Sequence, residues 1–156
     1  TPFVVKNYDA FAKASLADIF SEEKLQNATN YNIKTFSSIY LENTGNGTFS
    51  AHELPKENQF GPIKDFYVLD FNKDNNMDFI FGGNHYPVEV ETVRYDANKG
   101  GVCLGDGKGG FTFLSPLESG VYLDGDIRDL DVINIDNKRI LMATVNDGEV
   151  ISIPIK

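Results

Sequence analysis

Asp70, Asn72, Asp74, Asn76 and Asp78 stand at alternate positions of one short stretch, Asp70-Phe71-Asn72-Lys73-Asp74-Asn75-Asn76-Met77-Asp78. Oxygen-bearing side chains at the first, third, fifth and ninth places of a tight turn suit a hard cation, and calcium takes about six to eight oxygen ligands at about 2.3–2.6 Å. The candidate ligands are the side-chain oxygens of Asp70, Asn72, Asp74 and Asp78 and the backbone carbonyl of Asn76. An EF-hand needs a bidentate Glu at the twelfth place and a dockerin-type loop also carries an acid there, whereas this chain has Phe81. The sixth place, usually Gly because the backbone takes a positive φ, is Asn75, the best non-glycine residue for that conformation. The competing reading is an Asx-rich turn that binds nothing.

Strands must position such a loop. Phe66-Tyr67-Val68-Leu69 precedes it and Phe79-Ile80-Phe81-Gly82-Gly83 follows, both apolar and β-prone, so the cation would sit in a strand-to-strand turn. From Ile33 onward the chain is a series of short apolar runs separated by Gly, Asn and Asp, the pattern of an all-β protein with many tight turns. Strands are predicted at Thr35 to Glu42, Thr48 to Glu53, Ile63 to Leu69, Asp78 to Gly82, Gly101 to Leu104, Gly110 to Leu114, Ile127 to Ile135, Arg139 to Val145 and Glu149 to Ile155. The first 32 residues read differently. Ala10, Phe11, Ala14, Leu16 and Ile19 recur at helical spacing, and Ser21 before Glu22 and Glu23 opens a second short helix through Leu25 to Ala28. A helix pair over residues 1–32, serving as a structural cap or insertion, is therefore expected ahead of a β region over residues 33–156.

Other residues invite chemistry less strongly. The longest connection, Gly83 to Gly101, carries His85, Tyr86, Glu89, Glu91, Arg94, Tyr95 and Asp96. It reads either as a recognition loop for a sugar or peptide, or as an excursion packed on neighbouring structure with Arg94 and Asp96 paired. Glu89 and Glu91 resemble a glycosidase acid pair only if a turn brings them together, since alternate residues of an extended segment point apart. Asp124, Asp126, Asp129 and Asp131 around Arg128 lack the register of the first loop and read as a solvated loop with an Asp–Arg pair. Cys103, between Val102 and Leu104, reads as a buried, inert thiol. No nucleophile elbow, HExxH or phosphate loop is present, so no catalytic residue is assigned.

At 156 residues the chain is one domain in size and needs no disulfide. A net charge of -9 repels nucleic acid and anionic membrane surfaces. No run approaches the ~20 apolar residues of a membrane span. The opening Thr1-Pro2, with neither Met nor leader, reads as a processed protein or a piece of a longer one. Bare Asx-rich calcium loops suit millimolar calcium, which favours an extracellular or cell-surface location.

Two segments rhyme at an interval of about sixty residues: Tyr40 to Phe49 and Val102 to Phe111, each an apolar strand, a glycine-rich turn and a Phe opening the next strand. The loop from Asp70 to Asp78 with its following strand, and then Gly105 to Phe111, resembles a VCBS/FG-GAP repeat, the calcium-bearing blade of integrin-type β-propellers. Over nearly the whole chain, Phe11 to Phe20, Tyr40 to Phe49, Leu54-Pro55 with Gln59, Arg94-Tyr95-Asp96-Ala97, Gly107 to Phe111 and Asp124 to Asp129 are similar to the C-terminal part of large exported bacterial VCBS-repeat proteins related to the cartilage acidic protein and UnbV group. The resemblance implies a propeller, calcium in blade loops and extracellular binding, and no known reaction. Counted against that template, the strands make a partial β-propeller of about two and a half antiparallel blades: the last two strands of one, a complete four-stranded one from Ile63 to Leu114, and about three strands of another. Open edges of that kind are expected to pair with remaining blades or another chain. The expected function is a non-enzymatic, calcium-stabilised scaffold for a glycan or protein ligand. The alternatives are part of a polysaccharide-acting enzyme and a structural subunit of a cell-surface complex.

Overall fold

The computed structural model describes residues 7–155, so the opening residues of the expected helix pair lie outside the described part. The chain divides into two compact units at Phe36/Ser37. In the first, the expected pair of helices is three short ones, α1 (Tyr8–Lys13), α2 (Leu16–Ile19) and α3 (Glu22–Gln26), none with a buried residue. The long first helix is broken at Ala14-Ser15, because Asp18 reaches back to accept hydrogen bonds from the Ser15 backbone N–H (2.8 Å) and hydroxyl (2.7 Å). That contact starts a new helix where spacing alone suggests continuation.

The second unit is mainly β, as expected. Its strands are β1 (Ile39–Gly45), β2 (Thr48–Glu53), β3 (Ile63–Leu69), β4 (Asp78–Gly83), β5 (Gly101–Gly105), β6 (Phe111–Leu114), β7 (Ile127–Ile135), β8 (Lys138–Val145) and β9 (Ile151–Ile155), with a 3-10 turn at Lys56–Gln59 and a short helix α4 (Pro116–Ser119). They form three antiparallel sheets in the orders β1-β2, β3-β4-β5-β6 and β7-β8-β9. The grouping into two, four and three strands is the one counted from sequence. Several boundaries move by one to three residues, and the largest difference is at β1: Thr35 to Ser38 lies outside it, its pairing begins at Ile39 opposite Glu53, and the Ser38 N–H is taken by the Gln59 side chain at 2.6 Å.

Register decides the two faces of the four-stranded sheet. Tyr67, Ile80, Val102 and Leu114 stand opposite one another across its strands. They meet Ile127, Leu130, Leu141 and Ala143 of the three-stranded sheet in the main core. Ile80, Val102, Ile127 and Leu141 are fully buried, worth about 1.5–3 kcal/mol each relative to exposure. A part-buried contact adds to this, with Asp65 accepting from the Leu130 N–H at 2.6 Å and so tying β3 to β7. The opposite face carries the row Val68, Phe79, Cys103 and Phe113. Tyr40 of β1 packs edge-on against Phe111 on this side at 5.5 Å, and Phe111 in turn meets Phe79 at 5.1 Å.

Antiparallel order puts the turns at two opposite ends of the sheets. One end holds the Asp70–Asp78 loop, the β5-β6 turn and the β7-β8 turn. The other holds the long 84–100 connection, the segment 115–126 and the β8-β9 connection.

Candidate metal centre

Leu69 opposite Asp78 is the last pair of the β3-β4 ladder, so the eight intervening residues form a closed loop. Within it the short side chains turn back onto the backbone. Asp70 Oδ1 accepts from the Asp74 N–H (3.1 Å) and Asp70 Oδ2 from the Asn75 N–H (3.0 Å). Asn72 Oδ1 also accepts from the Asp74 N–H at 3.1 Å. Asp74 Oδ1 accepts from the Asn76 N–H at 2.8 Å, while Asp74 Oδ2 accepts from the Asn72 side-chain amide at 2.8 Å. Asp70, Asn72 and Asp74 are thus gathered on one set of amides, and ionised carboxylates so engaged keep spare lone pairs for a cation.

The backbone conformation follows. Asn75 has φ 68°, the left-handed geometry anticipated for the sixth place, and Lys73 has φ 65°. Lys pays for that conformation with about 1–2 kcal/mol of steric cost, which Asn escapes in part. Lys73→Gly is therefore expected to raise the melting temperature by about 2–4 °C, read by thermal denaturation in EGTA. A lower melting temperature would contradict the strain at this residue.

Asp74 is held below the ordinary carboxylate value of 3.8, first by the Asn72 side-chain amide and then by the Asn76 N–H. Its folded value being depressed, its contribution to the loop is complete above 3.8 and is lost as pH falls through the lower folded value.

Asp78 behaves differently from the other predicted ligands. It is 1% exposed. Its Oδ2 accepts from the Phe71 N–H (2.8 Å) and the Asn72 N–H (3.4 Å), and its Oδ1 from the Gly105 N–H (2.8 Å). Only Oδ1 keeps accepting capacity, and among the described residues no group of three or more His, Cys, Asp or Glu side chains stands ready to hold a metal. Asp78 clamps the loop to β5, and a Cβ at Gly105 would collide with the Met77 carbonyl, so the two turns meet backbone to backbone. Arg139 Nη1 reaches the Asp70 carbonyl at 3.4 Å from β8. Asp70, Asn72, Asp74 and the Asn76 carbonyl are the groups of this turn that could hold a cation, with Asp78 able to contribute through one oxygen.

The other candidates sort as follows. The long connection is tied at its base by a pair of backbone hydrogen bonds between His85 and Tyr95 (2.9 and 3.0 Å), and Asn84, fully buried, bonds Asn98 and Gly125. Arg94 pairs with Asp96 at 3.0 Å and lies over the Tyr86 ring at 4.4 Å, as the packed-excursion reading anticipates. Its tip is open all the same: Val90 is 99% and Val93 88% exposed. Glu89 and Glu91 stand exposed on that tip. Around Arg128 the solvated-loop reading holds in part: the Asp–Arg pair exists (Asp126 to Arg128, 2.8 Å) and Asp124, Asp129 and Asp131 are exposed, but Asp126 is fully buried and also accepts from the Tyr86 N–H at 3.4 Å. Asp124 pairs with Lys99 at 2.6 Å instead. Cys103 is buried and its thiol pushed up to about 11 by desolvation, so it is inert at neutral pH.

Sequence reasoning missed the anchoring role of Asn84. Comparison with family models, with curated proteins and with solved structures finds no match to this chain.

Proposed function

We propose that this chain is a calcium-stabilised segment of an extracellular β-propeller that serves as a binding scaffold. The observation that carries the reading is the convergence of Asp70, Asn72 and Asp74 on the amides of residues 74–76, in a turn clamped to β5 by Asp78. A cation there neutralises clustered carboxylates and stiffens one end of the sheets. Recognition of a protein or glycan then falls to the other end, where the 84–100 connection projects from a fixed base. The propeller part of the reading is supported by sheets of two, four and three strands, the last two packed face to face. The open edges of the short sheets are completed by further blades or by another chain. An acidic chain with a bare Asx loop suits millimolar calcium outside the cell. Among the described residues no helix is long and apolar enough to cross a membrane.

Binding only the folded form, calcium at about ten times its dissociation constant adds about 1.4 kcal/mol. EGTA is therefore expected to lower the melting temperature by about 3–6 °C, and Asp74→Ala to remove the difference between calcium and EGTA. Differential scanning calorimetry with and without calcium decides. Identical melting temperatures for the unaltered chain would sink the calcium reading.

A further inference from the structure

The face of the four-stranded sheet turned away from the main core is an aromatic bed covered only in part. Phe66 and Val68 of β3, Phe79 and Phe81 of β4, and Phe111 and Phe113 of β6 lie on it. Its middle is sealed: Phe81 is 1% exposed and Cys103 is fully buried, with the Cys103 thiol donating to Asn58 Oδ1 of the 3-10 turn at 3.3 Å. Over β3 the cover stops, leaving Phe66 59% and Val68 51% exposed. Ring contacts from Phe66 to Phe79 (6.3 Å) and from Phe79 to Phe111 (5.1 Å) join the open part to the covered part in one surface.

The rest of the cover is the ribbon β1-β2, a sheet of only two strands and so too small for independent stability. It enters the bed through Tyr40 of β1, edge-on to Phe111 at 5.5 Å, while His52 of β2 lies over Gly109 in the β5-β6 turn. β1 is therefore the strand of the ribbon toward the open part. The Leu54 N–H donates to the Ser38 carbonyl at 3.1 Å, so Tyr40/His52 and Glu42/Ser50 are the bonded pairs of the ladder. The N–H and C=O groups of Leu41 and Asn43 then point to the free edge. Other edges are blunted. β9 carries Pro154, which has no N–H to give, and β3 carries Lys64 as the extra residue of a bulge, with Asp65 beside it engaged by the Leu130 N–H. From Ile39 to Asn43, β1 has no proline, lysine or bulge.

We propose that a β-strand of a partner protein adds to the free edge of β1 and closes over Phe66, Val68 and Phe79. Its backbone pairs with Leu41 and Asn43, and its alternate side chains, large and apolar, lie on the open rings. Its remaining side chains are basic, to suit a chain of charge -9. Continuity argues for a strand over any other cover: an extended ribbon already roofs one part of this face, and one more strand, about 4.8 Å from β1, carries the same roof toward β3. This partner is what the scaffold reading requires at the short sheet, and its assignment rests on that reading only in taking the sheet as incomplete; the cation plays no part in it.

The test titrates the full chain, with and without EGTA, with a peptide in which Val alternates with Lys and Thr, a scrambled peptide of the same composition, and the alternating peptide N-methylated along its backbone. The alternating peptide is expected to bind about tenfold more tightly than either control and to shift the NMR signals of the Leu41 and Asn43 amides. Phe66→Ser, with its melting temperature little changed, should lose about tenfold in affinity, and Val68→Thr somewhat less. Phe49→Ser, on the far face of the ribbon, should leave binding as it is. Equal binding of the scrambled or N-methylated peptide, no saturable binding, or affinity unaltered in both Phe66→Ser and Val68→Thr would each overturn the proposal. A dimer in sedimentation that Phe66→Ser breaks would also overturn it, since a second copy would then own the face. Peptide binding in a chain whose melting temperature ignores calcium would overturn the calcium reading alone, and a calcium effect without peptide binding would overturn this proposal alone.

Discussion

Asp78→Ala is expected to destabilise the chain by about 3–5 kcal/mol even in EGTA, and by more in calcium. The reason is the clamp. Removing the carboxylate orphans the N–H groups of Phe71 and Gly105, each 2.8 Å from an oxygen, and weakens that of Asn72. Asp78 is 1% exposed, so water does not replace the lost acceptors without opening the turn. An orphaned buried donor costs about 1–3 kcal/mol, more where its partner was charged. Against a whole-domain stability of about 5–15 kcal/mol the loss is large. Asp78→Asn keeps one acceptor oxygen and should lose roughly half as much. Urea denaturation in both buffers separates the two roles of the residue. A pure metal ligand would leave the EGTA curve unmoved, and that outcome would refute the clamp.

Asn84→Ala is the second large effect, expected at about 3–5 kcal/mol, or a fall of roughly 6–20 °C in melting temperature. The side chain donates to the carbonyls of Asn98 (2.8 Å) and Gly125 (2.9 Å) and accepts from the Asn98 N–H (2.9 Å). It does so while fully buried and at φ 82°, a conformation that Asn tolerates and Ala resists. One amide therefore closes the base of the 84–100 connection and joins it to the segment leading into β7. Its loss should loosen that connection before the sheets, so hydrogen exchange at Tyr86 and Tyr95 should rise well beyond that of Ile80. Uniform acceleration throughout the chain would argue instead for a simple loss of global stability.

Much of the β region was legible in the chain. Short apolar runs between Gly, Asn and Asp locate the strands to within a few residues, because alternation and turn chemistry are local properties. The same holds for the geometry of the turn from Asp70 to Asp78, since its Asx spacing and the left-handed place at Asn75 are written in consecutive residues. Where local signals ran out, the expectation failed. The helix break at Ser15 turns on an Asp18 contact that competes with continued helical spacing, and the β1-β2 ladder begins at Ile39 opposite Glu53, so Thr35 to Ser38 lies outside it.

The chain alone therefore determines where most strands fall and that Asp70, Asn72 and Asp74 share one turn. The tertiary structure decides what each of these residues does. Asp78 reads as a fourth side-chain ligand until β5, far along the chain, presents the Gly105 N–H to it. Asp126 reads as solvated until the 84–100 connection reaches it through the Tyr86 N–H. In each case the deciding group arrives from a distant part of the chain. Burial and partners depend on which strands come together, and the register that brings them together lies in no single stretch of residues.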